Sequence, residues 1–244
     1  MRCQPLTDNQ VYIWTKNKQF CLLCDEPADT AQPLCSACEA ELPWLGGHCA
    51  ICALPLPGEG LTCGQCQKRP PPFNRVEAAW RYAFPLDSLI TRFKHQRQWP
   101  LGRLLAGLLS HHLQHAFAEG LPRPDLLLPV PQGRKRLRSR GFNQAQMLAE
   151  WLGQELQLPM QDHWLLRPGE GAHQQELDAA ARRRNLRNAF ALAEIAEVAG
   201  RHIALVDDVL TTGATTATLA NLLCKAGAAR VDVYCLARTP KPGD

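Results

Sequence analysis

From residue 76 onward the hydrophobic positions fall into two alternating patterns. Residues 76–84, 126–131, 201–208 and 230–237 are apolar-rich runs of strand length, and the run at 126–131 is stopped by its own prolines. Residues 86–97 and 101–117 instead repeat Leu, Ile and Phe three and four apart, which predicts helices with an apolar face. Residues 141–156 and 214–225 read as two more helices, the second closed by Gly227. Strands alternating with helices predict an α/β domain built on a mostly parallel sheet. Such sheets bind ligands beyond the carboxyl ends of their strands.

The first 72 residues show neither period. Pro27, Pro33, Pro43, Pro55 and Pro57 interrupt them, and large apolar residues are few. Lys68, Arg69, Pro70, Pro71 and Pro72 then form a stiff linker. The expected organisation is an extension over residues 1–20, a cysteine-rich segment over 21–69, a Pro-rich linker over 70–75 and the α/β domain over 76–240. A length of 244 residues accommodates one large or two modest domains.

Charge follows the same division. Residues 1–72 carry five Lys/Arg against seven Asp/Glu, while residues 73–244 carry 22 against 16. The net +4 of the chain is therefore a property of the α/β part, where an anionic ligand is expected. No apolar run reaches the length of a bilayer span, and residues 1–20 mix Asp, Asn, Gln and Lys without the apolar core of a secretory signal. A cytoplasmic location without membrane insertion is expected.

Eight of the eleven cysteines form four C-x-x-C pairs: Cys21/Cys24, Cys35/Cys38, Cys49/Cys52 and Cys63/Cys66. The pairs begin every 14 residues, an internal repeat. Each pair lets a tight turn present two thiolates, and two pairs complete a tetrahedral four-thiolate site, so eight thiolates suit two structural zinc ions. Sequential and crossed pairings both satisfy the spacing. A core this small is expected to need the metal to fold. Thioredoxin-like redox chemistry needs one pair in a βαβ setting, and a closed four-thiolate site has no open position for catalysis. Cys3 lies outside the repeat, and Cys224 and Cys235 sit in apolar runs that predict buried thiols.

Residues 203–216 carry the most chemistry. Ile203, Ala204, Leu205 and Val206 make a buried strand, Asp207 and Asp208 follow, and Thr211, Thr212, Gly213, Ala214 and Thr215 turn into a helix. The turn offers backbone N–H groups, hydroxyls and the positive end of a helix to one anion. Asp207 and Asp208 repel that anion, so their partners are expected to be hydroxyls or a metal. The pattern resembles the PRPP-binding motif of type I phosphoribosyltransferases. The resemblance assigns Asp207 and Asp208 to the ribose hydroxyls and residues 211–215 to the 5′-phosphate, with magnesium accompanying PRPP.

Two further segments extend the likeness. Pro129, Val130 and Pro131 precede the run Arg134, Lys135, Arg136, Leu137, Arg138, Ser139, Arg140, and Gly141, Phe142, Asn143 and Gln144 follow it. Gln174 and Leu177 precede Arg182, Asn185, Ala189 and Phe190. Together with the cysteine pairs, the linker and the acidic loop, these resemble the ComF/GntX family over residues 21–238. The resemblance implies a double zinc ribbon ahead of a type I phosphoribosyltransferase-like parallel sheet with helices on both faces, and a link to DNA uptake in competence or to use of DNA as nutrient. Gly171 and Asp178 stand where the family usually has Thr and Ser, so that segment has lost hydroxyls.

Arg134, Arg138 and Arg140 are candidates for the pyrophosphate of PRPP or for a nucleic-acid backbone, since guanidinium groups pair with phosphate oxygens in a bidentate manner. Arg182, Arg183, Arg184 and Arg187 either extend such a groove or form a solvated face. His111 and His115 are four apart on one predicted helix, with no acidic partner nearby in sequence, and are expected on a solvent face. Two functions remain open. One is a phosphoribosyltransferase with an unidentified acceptor, in which Asp207 and Asp208 would be the catalytic pair. The other is a non-catalytic accessory that binds ribose phosphate or single-stranded DNA and works with a DNA-translocating, helicase-like partner.

Overall fold

A computed structural model describes residues 19–168 and 189–241. The chain separates into two compact units, Met1–Glu41 and Leu42–Asp244.

In the first unit, Phe20 and Pro27 form an antiparallel bridge, and helix α1 (Ser36–Ala40) begins at Cys35. The Asp29 carboxylate accepts from both the backbone N–H and the hydroxyl of Ser36, which fixes the entry to α1. Among the described apolar residues of this unit, Cys21 and Leu34 alone are buried. A unit with so little core needs a cross-link to hold its shape.

The second unit is built on four parallel strands in the order β1-β6-β5-β2: β1 (Arg75–Arg81), β2 (Leu126–Pro129), β5 (His202–Leu210) and β6 (Arg230–Arg238). Two-residue strands β3 (Leu165–Leu166) and β4 (Ala191–Leu192) pair antiparallel beside it and had no signature in the sequence. Side chains alternate across the sheet. Val231, Val233 and Cys235 join the apolar cluster that includes Leu219, Ala220 and Leu223 of α7 (Ala214–Lys225). On the opposite face Tyr234 meets Phe117 of α4 (Trp99–Ala118), ring to ring at 6.4 Å. Helices therefore cover both faces, as expected.

Helix α3 (Leu86–Gln96) buries Leu86, Leu89, Ile90 and Phe93, the spacing of one helical stripe. Its neighbour α4 can approach because Gly102 lies against Phe93; a Cβ there would stand 2.5 Å from the ring. Helix α4 packs in turn on α6 (Gln144–Leu156). The Asn143 side chain caps α6 by accepting from the Ala145 N–H, and it donates to the Val130 carbonyl, which ties the helix to the end of β2. The basic run forms its own helix, α5 (Arg134–Arg140), closed by Gly141 with φ 85°.

The segment carrying the last four repeat cysteines, with helix α2 (Gly64–Lys68), belongs to this second unit. It lies along β1, the edge strand of the sheet: Trp44 bridges Trp80, and the backbone N–H groups of Leu45 and Val76 donate to Ala79 and Ile51 carbonyls respectively. An edge covered in this way presents no open row of ladder groups. Ala53 is fully buried in the sheet's apolar cluster, so this knuckle has apolar support beyond its thiols. No helix among the described residues is long and apolar enough to cross a membrane.

Candidate functional site

At the carboxyl ends of β5 and β2 a cavity of about 260 Å³ opens, lined by parts of several elements and their loops. Strand β5 runs two residues past the predicted end because Val209 and Leu210 pair with Ala237 and Arg238. Asp207 and Asp208 are thus strand residues with fixed backbones. Their carboxylates are steadied by the next N–H along the chain: Asp208 N–H donates to Asp207 Oδ1, and Val209 N–H donates to Asp208 Oδ1. Lys94 of α3 places its ammonium 3.0 Å from Asp208 Oδ2. Burial, then the Asp208 charge beside it, push the Asp207 carboxyl up to about 7, with the Asp208 N–H and Lys94 pulling the other way.

Thr211, Thr212, Gly213, Ala214 and Thr215 line the same cavity. Gly213 is the N-cap of α7 with φ 71°, a left-handed conformation that favours glycine, and it has no side chain to cap the helix. The Ala214 N–H donates to the Thr212 hydroxyl at 3.3 Å, and the remaining first-turn donors of α7 are left to a ligand or solvent, with the positive end of a twelve-residue helix behind them. Thr216, by contrast, is buried and spends its hydroxyl on the Gly213 carbonyl.

The basic helix α5 contributes one face. Arg136 and Arg140, one turn apart, line the cavity, whereas Arg134 and Arg138 are exposed and are not among its lining residues. Arg167 adds a further cation and lies over the Phe190 ring at 5.4 Å. Gln174, Leu177, Arg182 to Arg184, Asn185 and Arg187 lie outside the described residues.

The thiols collect in two groups, Cys21, Cys24, Cys35 and Cys38, and Cys49, Cys52, Cys63 and Cys66, each with its sulfurs within 4.8 Å of one another. The pairing is sequential. Cys24 and Cys35 sulfurs stand 3.7 Å apart, as do those of Cys52 and Cys63. A tetrahedral ion with bonds of about 2.3 Å places sulfurs about 3.8 Å apart, so both groups fit zinc. Backbone N–H groups also aim at the sulfurs, from Leu23 to Cys21, Cys38 to Cys35 and Cys63 to Cys49. Burial raises the Cys21 thiol, but its backbone donors outweigh that and hold it down at about 6, while burial and the neighbouring thiols push Cys38 of the same group up.

The double zinc ribbon domain family matches residues 18–67. The DNA utilization protein YhgH of Escherichia coli O157:H7 is 39% identical over 221 residues, 90% of this chain and 90% of that protein. The chain belongs to the ComF/GntX family. Competence protein F of Haemophilus influenzae is 37% identical over 84% of this chain and 90% of its own length. Competence protein ComFC of Bacillus subtilis is 24% identical over 91% and 96%. Among solved structures, a purine phosphoribosyltransferase from Pyrococcus horikoshii aligns with 55% of this chain and 70% of its own, at 17% identity and a TM-score of 0.34.

In this ComF-family chain the sequence reading missed Lys94, Gln132, Arg136 and Arg167 at the cavity. Arg136 stood within the basic run, but a run that is charged all round carries no phase from which to choose a face. Lys94 could be chosen only by knowing that α3 lies over the end of β5. Two smaller expectations resolve differently. Cys235 is buried, but Cys224 is exposed on α7, because the buried face of that helix is Thr216, Leu219, Ala220 and Leu223; its thiol donates to the Pro72 carbonyl at 3.6 Å. His111 and His115 lie toward solvent as expected, while His112 turns toward buried Glu77 at 3.7 Å.

Proposed function

We propose that the cavity binds PRPP or a related ribose phosphate. Asp207 and Asp208 accept from the ribose hydroxyls, the N–H groups and hydroxyls of residues 211–215 take the 5′-phosphate, and Arg136 and Arg140 face the pyrophosphate. One observation carries the reading: paired carboxylates, a helix N-terminus with glycine at its N-cap and two arginines of one helix face converge on one cavity from β5, α7 and α5. Each group answers a different part of a ribose phosphate, and a simple anion would not be matched to the carboxylates. Magnesium fits as a partner, because it favours one or two carboxylates together with phosphate oxygens. It would supply charge neutralisation of the pyrophosphate.

Ribosyl transfer to an acceptor is the reaction this arrangement would serve. A nucleophilic atom of the acceptor would bond to ribose C1 as the C1–O bond to pyrophosphate breaks; the electron pair leaves with pyrophosphate, the nucleophile's proton passes to solvent, and Arg136 and Arg140 stabilise the departing charge. Calorimetry with PRPP and magnesium tests the binding. Micromolar binding by the natural chain, lost by at least about tenfold in Asp207→Asn/Asp208→Asn, is expected. Absence of binding by the natural chain would remove the proposal.

A second ligand class has its own support. Trp99 is 50% exposed and meets Phe142 edge-on at 6.4 Å, and the Arg97 guanidinium lies against Gly141 at the end of α5. An exposed aromatic beside cations is the platform on which single-stranded nucleic acid stacks, and the names of the relatives point to DNA. Oligonucleotide affinity that declines steeply with salt and weakens in Trp99→Ala supports this reading; a flat, weak salt response removes it.

A further inference from the structure

Arg238, the last residue of β6, is 7% exposed and takes no part in lining the cavity. Its guanidinium nevertheless touches both functional features of the second unit. Nε donates to the Cys52 carbonyl at 2.9 Å. Nη1 lies within hydrogen-bond distance of three carbonyls, those of Leu210 at 3.0 Å, Thr211, and Thr239 at 2.8 Å, so its two hydrogens are shared among them. Cys52 is a member of the second four-cysteine group, and Thr211 opens the phosphate loop.

The consequence follows from peptide geometry. In a trans peptide the C=O and the next N–H point in opposite directions. Drawing the Thr211 carbonyl onto Arg238, and the Leu210 carbonyl onto Arg238 together with the Thr239 N–H at 3.0 Å, therefore turns the N–H groups of Thr211 and Thr212 away from it. Those are the first two donors of the loop. The cation is buried and satisfied by carbonyl oxygens, so it also places fixed positive charge behind an anion site, with no rearrangement needed when the ligand arrives. On its other side the Cys52 carbonyl is itself held. Cys52 sulfur is fixed by its cluster, Ile51 accepts from the Val76 N–H, and Ala53 makes the turn with φ 54°.

We propose that Arg238 is a positioning residue through which the closed second cysteine cluster orders the phosphate loop. Opening that cluster, by loss of its metal or oxidation of its thiols to disulfides by a two-electron oxidant, releases the Cys52 carbonyl and with it the alignment of the Thr211 and Thr212 donors. Binding of a phosphomonoester then depends on a metal site that never touches the ligand. The proposal rests on the reading of residues 211–215 as a phosphate loop, and the first cluster plays no part in it.

Hydrogen exchange of the backbone amides of residues 210–215 in the full chain, read beside calorimetry with ribose 5-phosphate, tests this. The comparison is among the natural chain, Cys63→Ser (second cluster opened without touching Arg238), Cys24→Ser (first cluster opened), Arg238→Lys and Arg238→Met. Cys63→Ser and Arg238→Met are expected to speed loop exchange and weaken ribose 5-phosphate by about tenfold or more, the effect of losing a charged hydrogen bond. Cys24→Ser is expected to change neither. Arg238→Lys is expected to recover part of both, because one ammonium cannot span the two sets of carbonyls that the guanidinium joins. Natural loop exchange in Cys63→Ser would overturn the proposal, as would equal acceleration in Cys24→Ser. If Arg238→Met does not fold, stepwise removal of zinc by a chelator decides, with acceleration expected only on loss of the second ion. If the natural chain does not bind ribose 5-phosphate, the ligand reading fails, while loop exchange still decides the coupling.

Discussion

Asp207 favours its protonated form, a state that the proposed ribose-phosphate ligand would have to change. Its carboxyl is raised from 3.8 to about 7 by burial and by Asp208. A folded-state value above the unfolded one means the protonated form is favoured by folding. The associated stability is therefore fully present below about pH 4 and lost as pH rises through about 7. Asp207→Asn is expected to raise the melting temperature by a few degrees at about pH 8, on the order of 1–2 kcal/mol, with the gain shrinking toward about pH 4. Ligand binding runs the opposite way. Accepting from ribose hydroxyls or holding magnesium needs the ionised form, so PRPP affinity is expected to rise between about pH 6 and pH 8 in calorimetry at fixed magnesium. Because Lys94 lowers the Asp207 value, Lys94→Met is expected to move that rise to higher pH. A flat pH profile would count against Asp207 as a ligand group. The carboxylates were legible in the sequence because an apolar run ended on them. Lys94 was not, since on its own helix it reads as one more solvated lysine.

Among the elements, the proposed phosphate loop at residues 211–215 is a matter of backbone shape. A Cβ on Gly213 would meet nothing nearer than the Thr216 hydroxyl at 3.8 Å, so space is not the constraint. The constraint is the positive φ of 71°. Gly213→Ala is expected to cost about 1 kcal/mol in denaturant unfolding and to weaken phosphate binding, since the strain is relieved only by moving the loop. Gly102→Ala acts through packing instead. Its Cβ would press the Phe93 ring, and overpacking of this kind costs about 1–3 kcal/mol. Phe93 precedes Lys94, so the same substitution is expected to disturb the Lys94–Asp208 pair. Sequence periodicity located the main strands and helices of the sheet, because β5 and β6 are buried along most of their length and α3 carries one clean apolar stripe. It failed for β3 and β4, whose two residues each are too short to show any period. It also failed for the phase of α5, where Arg136 and Arg140 reach the cavity and the equally basic Arg134 and Arg138 do not.

For the whole molecule, the repeat of four cysteine pairs does not make one uniform module. The first four-cysteine group lies in the Met1–Glu41 unit with almost no apolar core, and the second lies in the Leu42–Asp244 unit against a buried sheet. Elemental analysis is expected to find two zinc ions per chain, falling to one in Cys24→Ser. The first site is expected to unfold its unit when stripped, as metal-dependent modules do, while the parallel sheet of the second unit persists. Far fewer than two ions in the natural chain would contradict the fit of both groups to zinc. The repeat was plain in the sequence; the different support behind each copy was not, because Ile51, Cys52 and Ala53 reveal their packing only against β1 and β6. Ribose-phosphate binding in the cavity of that second unit is decided by a crystal structure of the full chain grown with PRPP and magnesium. The expected structure has the 5′-phosphate within hydrogen-bond reach of the amides of residues 211–215, the ribose hydroxyls on Asp207 and Asp208, and the pyrophosphate toward Arg136 and Arg140. Ligand bound elsewhere on the chain, or seated there with its phosphate away from that loop, would contradict it.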